Sequence, residues 1–158
     1  MTDTPWYAEA PVPRLMLDAR GAYREAASRA LAEAGCDDIP RGGGLVLAGL
    51  DQSSPEPSFT TQAEAVAFLR LSKQRSSQLI DTLVLRGYLE RRNDPDDRRR
   101  MSVRLTERGR AAATAIQGAV ESVDAQLEER LTVEELRGLR AGLAALGEIR
   151  EQSTNDAA

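Results

Sequence analysis

The run from Leu69 to Gly109, LRLSKQRSSQLIDTLVLRGYLERRNDPDDRRRMSVRLTERG, leaves a chain like this few ways to fold. Ser76, Leu79, Ile80 and Leu83 recur at three- and four-residue spacing and mark one side of a helix. Gln74, Ser77, Gln78 and Asp81 fall on the opposite side, with Lys73 and Arg75 on the flanks. Ser72 can cap this helix through its side-chain oxygen, and Gly87 is suited to end it. A strand-like YLERR follows. Asn93, Asp94, Pro95 and Asp96 give a turn signal, and Met101, Val103 and Leu105 then alternate with Ser102, Arg104 and Thr106 as in a strand.

A helix followed by a hairpin with a basic tip is the order of a winged helix-turn-helix that reads duplex DNA. The charge distribution agrees. The whole chain is acidic, with 21 Lys and Arg against 25 Asp and Glu. Ser72 to Arg110 nevertheless holds 11 basic and 6 acidic residues, so positive charge is gathered where phosphates would be met. A solvated surface would explain the basic run taken alone; the helix and hairpin around it favour nucleic acid.

Composition narrows the function classes. Few aromatics (4%) and abundant alanine and leucine suit packed helices with a small β element. The chain has no histidine, which removes His-based acid–base chemistry, Ser-His-Asp and Cys-His catalysis and histidine-ligated metal sites. No catalytic constellation, metal site or cofactor motif is expected, so the chain reads as a non-enzyme. Arg41-Gly42-Gly43-Gly44 lacks the Gly-Lys-Ser/Thr of a phosphate loop. No apolar run is long enough to span a bilayer, no signal peptide is evident, and a single cysteine forms no internal disulfide, so a cytoplasmic location is the expectation.

Around the central segment the pattern is helical. Residues 1–13, with three prolines, read as an irregular arm, and Arg14 to Ala34 as a helix ended by Gly35, its stripe formed by Leu15, Ala19, Ala22, Ala26 and Ala30. GLVLAGL reads as a short apolar helix between two loops. Thr61-Gln62-Ala63-Glu64 has the form of a capping box and opens a helix whose Ala65, Val66 and Leu69 face the core. Thr106 caps a helix of about 24 residues, roughly 36 Å at 1.5 Å per residue. Its stripe is Ile116, Val120, Val123, Leu127 and Leu131. A second capping box, Thr132-Val133-Glu134-Glu135, opens a last helix striped by Leu136, Leu139, Leu143 and Leu146.

The residues expected to meet DNA are Ser72, Lys73, Gln74, Arg75, Ser77 and Gln78 on the helix and Asp97, Arg98, Arg99 and Arg100 at the tip. Glutamine pairs with adenine through two hydrogen bonds, and arginine or lysine pairs with guanine. Arginine suits the negative potential of a narrow minor groove, and Asp97 is placed to hold such an arginine in one orientation. Trp6, Tyr7, Arg14 and Tyr23 are candidates for lining a ligand pocket, against the alternative that they simply pack. Cys36 could serve a redox-sensing regulator, although Asp37 and Asp38 beside it do not favour a thiolate. A winged helix serving protein–protein contacts is the other alternative.

TQAEAVAFLRLSKQRSSQLIDTLVLRGYLERR followed by DPDDRRRMSVRLTERG, with long helices on both sides, resembles the MarR family of transcriptional regulators from Arg14 to Arg150. Arg70, where a turn glycine is common, and Ser76, where an apolar residue is common, depart from its pattern. The resemblance implies a mostly α fold with a small β-hairpin wing: an N-terminal arm and dimerisation helix over 1–35, a winged helix-turn-helix DNA-binding lobe over 36–106 and C-terminal dimerisation helices with a tail over 107–158. It implies a homodimer reading a pseudo-palindromic operator, with Ser72 to Arg86 as reading helix and Arg98 and Arg99 as wing arginines. It also implies repression relieved by a small-molecule effector, often phenolic or anionic, bound between the dimer helices and the DNA-binding lobe.

Overall fold

The computed structural model describes residues 5–53, 59–69, 71–93 and 101–155. By its contacts the chain divides into two units, Met1–Val120 and Glu121–Ala158.

The first unit opens with α1, Val12–Glu33. This helix starts two residues before the expected Arg14 because Pro13 lies in its first turn, where a missing N–H removes no helical hydrogen bond. Gly35 ends it at φ 67°, and the Cys36 N–H returns to the Leu31 carbonyl at 2.8 Å. Helix α2, Gly43–Ser53, forms despite the glycines at its start because Val46, Leu47 and Leu50 are buried. Thr61 and Glu64 close the expected capping box on α3, Gln62–Val66, which tightens into a 3-10 turn over Ala67–Leu69. Ala65 and Val66 are buried, with Leu69 packed against the core at its edge.

Helix α4, Lys73–Leu85, follows, then strands β2, Leu89–Asn93, and β3, Met101–Leu105. Gly87 holds φ 75° in the turn from α4 to β2, a conformation a side chain would strain. The expected hairpin is thus present. A third strand, β1 (Thr60–Thr61), gives an antiparallel sheet of order β1-β3-β2. Two residues are too few to show alternation, which is why the sequence does not announce it.

Strand β3 is the central one, and both of its faces are therefore partly covered. Ser102, one of the polar residues that alternate with Met101, Val103 and Leu105, is buried at 5% exposure. Thr61 pairs with Ser102 from one side and Arg92 from the other. The Phe59 ring, overlain by Arg92 at 3.6 Å and Arg104 at 4.7 Å, sits with that face of the sheet.

Leu79, Ile80 and Leu83 of α4, Tyr88 and Leu89 from the start of the hairpin, Val103 of β3, and Val46 and Leu47 of α2 fill the centre of the core. Helix α5, Glu107–Glu128, closes it with Ala112 and Ala113. Its first turn is locked by Gly109, where an added Cβ would stand 2.1 Å from the Tyr88 carbonyl oxygen. Thr106 accepts the Gly109 N–H at 3.0 Å and donates its hydroxyl to the Gly87 carbonyl at 2.6 Å.

The second unit holds the end of α5 and helix α6, Val133–Asn155. The second capping box is present: the Glu135 carboxylate accepts the Thr132 N–H at 2.8 Å, and Thr132 accepts the Glu135 N–H at 3.3 Å. That backbone bond, with the Thr132 hydroxyl, holds the Glu135 carboxyl below its ordinary range. Leu139, Leu143, Leu146 and Ile149 of α6 are exposed.

Candidate nucleic-acid interface

The interface begins with the asymmetry of α4. Leu79, Ile80 and Leu83 anchor one face in the core, so the opposite face must meet solvent or a partner. Lys73, Gln74, Arg75 and Gln78 are exposed there, and Ser77 is half-buried. Ser72 caps the helix, accepting the Arg75 N–H at 3.4 Å. Thr82, one turn after Gln78, donates to the Gln78 carbonyl at 2.8 Å and stays within the helix. The cap exposes the first turn as a short basic and amide-bearing edge, which can donate to phosphate oxygens and pair with base edges. An open groove of about 810 Å³ runs beside this edge, lined by Thr61 of β1, Gln62 and Glu64 of α3, Lys73 and Ser77 of α4 and Met101 of β3.

Two sets of contacts hold α4 against its neighbours, and a third braces the hairpin beside it. Arg91 of β2 donates to Asp81 of α4 at 2.6 Å. Within the hairpin, Arg104 pairs with Glu90 directly across the β3–β2 register. At the C-terminal end, Asp38 from the loop after α1 accepts from the buried Tyr88 hydroxyl and, at 3.0 Å, from Arg108 of α5. Arg86 donates to the Asp38 backbone carbonyl, and Arg108 to the Arg86 carbonyl at 2.7 Å, with the Arg108 guanidinium 4.4 Å over the Tyr88 ring. The Tyr88 hydroxyl, aided by Arg108, holds the Asp38 carboxyl below its ordinary range. Burial first, and the Asp38 bond second, push the Tyr88 phenol up.

The sequence-based site residues therefore fall into three groups. Ser72, Lys73, Gln74, Arg75, Ser77 and Gln78 are brought together on the first two turns of α4. Asp97, Arg98, Arg99 and Arg100, together with Arg70, lie outside the described residues. Trp6 and Tyr7 are exposed and pack edge to face with each other at 6.0 Å, and Arg14 pairs with Asp18 one turn on at 3.1 Å. Tyr23 is half-buried on α1. None of these four lines the groove beside α4. Cys36 is 3% exposed, with its thiol 3.5 Å from the Ala34 carbonyl. Residue patterns alone do not single out Asp38, Arg91 and Arg108, because each acts through a partner distant in sequence. An acidic Asp81 on an otherwise basic face is the one signal that pointed that way.

A capped helix with a polar outer face, preceded by a shorter helix and followed by a hairpin on a three-stranded sheet, is a winged helix-turn-helix. Residues 44–100 match the family model described as MarR family. Solved structures with the same fold include FabT of Streptococcus pneumoniae in complex with DNA, 18% identical, covering 89% of this chain and 94% of that one at a TM-score of 0.74. The S. aureus MepR–DNA complex is 22% identical over 89% of this chain and 98% of that one, TM-score 0.70. The repressor CouR bound to a 23-mer duplex is 22% identical over 90% and 96%, TM-score 0.67. At these identities the likeness is one of fold. A search by sequence alone matches no curated protein.

Proposed function

We propose that the chain is a sequence-specific duplex-DNA-binding transcriptional regulator of the MarR family, acting in the cytoplasm as a homodimer. The observation that carries this reading is the exposed Lys73, Gln74, Arg75 and Gln78 edge of a helix whose other face is fixed in the core. In its roles, Gln74 and Gln78 read adenine edges and Lys73 and Arg75 reach guanine or phosphate, while Ser72 and Ser77 add hydroxyl contacts. Arg98, Arg99 and Arg100 meet the backbone and minor groove, with Asp97 orienting them. FabT, MepR and CouR are each seen in complex with DNA, which supports the same partner here.

We assign residues 1–35 and 107–158 to dimerisation and 36–106 to the DNA-binding lobe. Exposed Leu139, Leu143, Leu146 and Ile149 along α6 offer an apolar stripe of the kind that marks an interface. A two-fold pair of reading helices then meets half-sites about one helical turn, roughly 34 Å, apart on a pseudo-palindrome. Repression relieved by a small molecule, with Trp6, Tyr7, Arg14 and Tyr23 near the pocket, completes the reading. The chain acts by binding rather than by catalysis. Among the described residues no helix is long and apolar enough to cross a membrane, and no cluster of metal-ligating side chains is present. The near-complete burial of Cys36 does not favour a sensing thiol, which needs access to its oxidant.

Selection of bound fragments from a random duplex pool tests this function. A two-fold-symmetric consensus is expected. Retention of fragments without any shared sequence would leave a winged helix that grips charge alone, and retention of none would favour the protein-interaction alternative.

A further inference from the structure

The Asp81–Arg91 pair bridges the two modules of the winged helix. Among the described residues, Arg104–Glu90 stays within the hairpin, Arg14–Asp18 within α1, Arg108–Asp38 between a loop and α5, and Arg140–Glu128 between α6 and the end of α5. Asp81–Arg91 joins α4 to β2. Asp81 follows Gln74 and Gln78 at intervals of seven and three residues, so it continues the face assigned to base reading. Arg91 lies on the helix-facing side of β2, opposite Val103, two residues before the strand ends at Asn93 and the chain enters its basic tip.

The burial of the two partners is unequal. The Arg91 side chain is 24% exposed and that of Asp81 55%. The Arg91 Nε is buried without a hydrogen-bond partner among the described residues. A guanidinium so confined has little freedom to exchange partners with water, so its bond to Asp81 is a fixed joint rather than a loose surface contact.

We propose that Asp81 and Arg91 form the joint that sets the wing relative to the reading helix, making Arg91 a positioning residue for DNA binding. The proposal rests on the DNA-binding function above. A reading helix in one groove and a wing in the next bind as linked modules, and the second contact strengthens the first only when the geometry lets both engage. Arg91 fixes β2 about 7 Å before its end, at 3.3 Å per residue, so tilt of the strand at this point is carried into the tip. The pair also occupies a carboxylate that would otherwise face phosphates uncompensated.

The test is a set of substitution cycles on the full chain, read by anisotropy on a duplex recovered by selection, at one fixed salt concentration. Arg99→Ala is made in the parent, in Arg91→Met and in Asp81→Asn. In the parent it should weaken binding roughly tenfold, the scale of one hydrogen bond to a charged group. In Arg91→Met and Asp81→Asn the same change should cost less than about twofold, because an unseated wing contributes little. Asp81→Asn alone should weaken binding although it removes a negative charge from a DNA-facing helix. Circular dichroism checks folding, and should Arg91→Met unfold, the Asp81→Asn cycle decides, since its changed group is half exposed. An Arg99→Ala cost that is equal in all backgrounds, or absent in the parent, overturns the joint. So does tighter binding by Asp81→Asn, which would make Asp81 only a repulsive charge. A parent chain that binds no duplex at all overturns the proposed function itself.

Discussion

Gln74→Ala separates base reading from charge attraction. Gln74 is the second residue of α4, exposed, and one turn before Gln78 on the same face. Its truncation removes no core contact, so thermal stability should stay within about 0.5 kcal/mol of the parent. Alanine also suits a helix better than glutamine, so the fold has no reason to shift. A glutamine amide that bonds both N6 and N7 on the major-groove edge of adenine contributes about 1–3 kcal/mol of discrimination, a factor of roughly 5 to 150 in affinity. Random-sequence binding, governed by phosphates, should be nearly unchanged. The assay is a pair of titrations, parent and variant, on a selected operator and a scrambled duplex at the same salt. Equal weakening on both duplexes would make Gln74 a positioning contact and refute its place on the reading face.

Arg99→Ala, and to a lesser degree Arg98→Ala, should weaken operator and random duplex alike and flatten the salt dependence by about one phosphate contact, measured as the slope of log affinity against log salt. Removal of residues 132–158 takes away the exposed leucine stripe of α6 and should leave a monomeric or aggregating chain with poor operator affinity, read by sedimentation. Gly109→Ala sets a methyl 2.1 Å from the Tyr88 carbonyl and should lower stability by about 1–3 kcal/mol or more in denaturant titration. Tyr88→Phe removes the hydroxyl that Asp38 accepts and should cost about 1 kcal/mol at neutral pH. Because that bond lowers the Asp38 folded-state pKa below its unfolded value near 3.8, the stabilisation is present above that pH and is lost as pH falls through the folded value. The gap between parent and Tyr88→Phe should therefore narrow in acid, and a gap that widens there would contradict the assignment.

The elements legible in the sequence were those with a repeating signal. The 3.6-residue stripe of Leu79, Ile80 and Leu83 gave α4 its buried face and left Gln74 and Gln78 outside. Both capping boxes formed as their Thr-x-x-Glu spacing requires, since cap and partner lie three residues apart. What escaped depends on pairing at a distance. Strand β1 exists because β3 lies beside it, and Ser102 is buried because two strands flank it. Asp38 meets Tyr88 and Arg108 fifty and seventy residues away, and no local pattern marks such a meeting. In the site, the residues expected to meet DNA on α4 could be grouped from sequence because they share one short helix. Arg91 was not, because its role depends on which helix packs against its strand.

The central claim is tested most directly by titrating the purified full chain against a selected duplex and its shuffled counterpart over a range of salt concentrations. The account predicts that affinity for both falls as salt rises, with the selected duplex tighter by a factor of about 10³ or more at physiological salt. Equal affinity for the two duplexes across that range, or binding indifferent to salt, would contradict it.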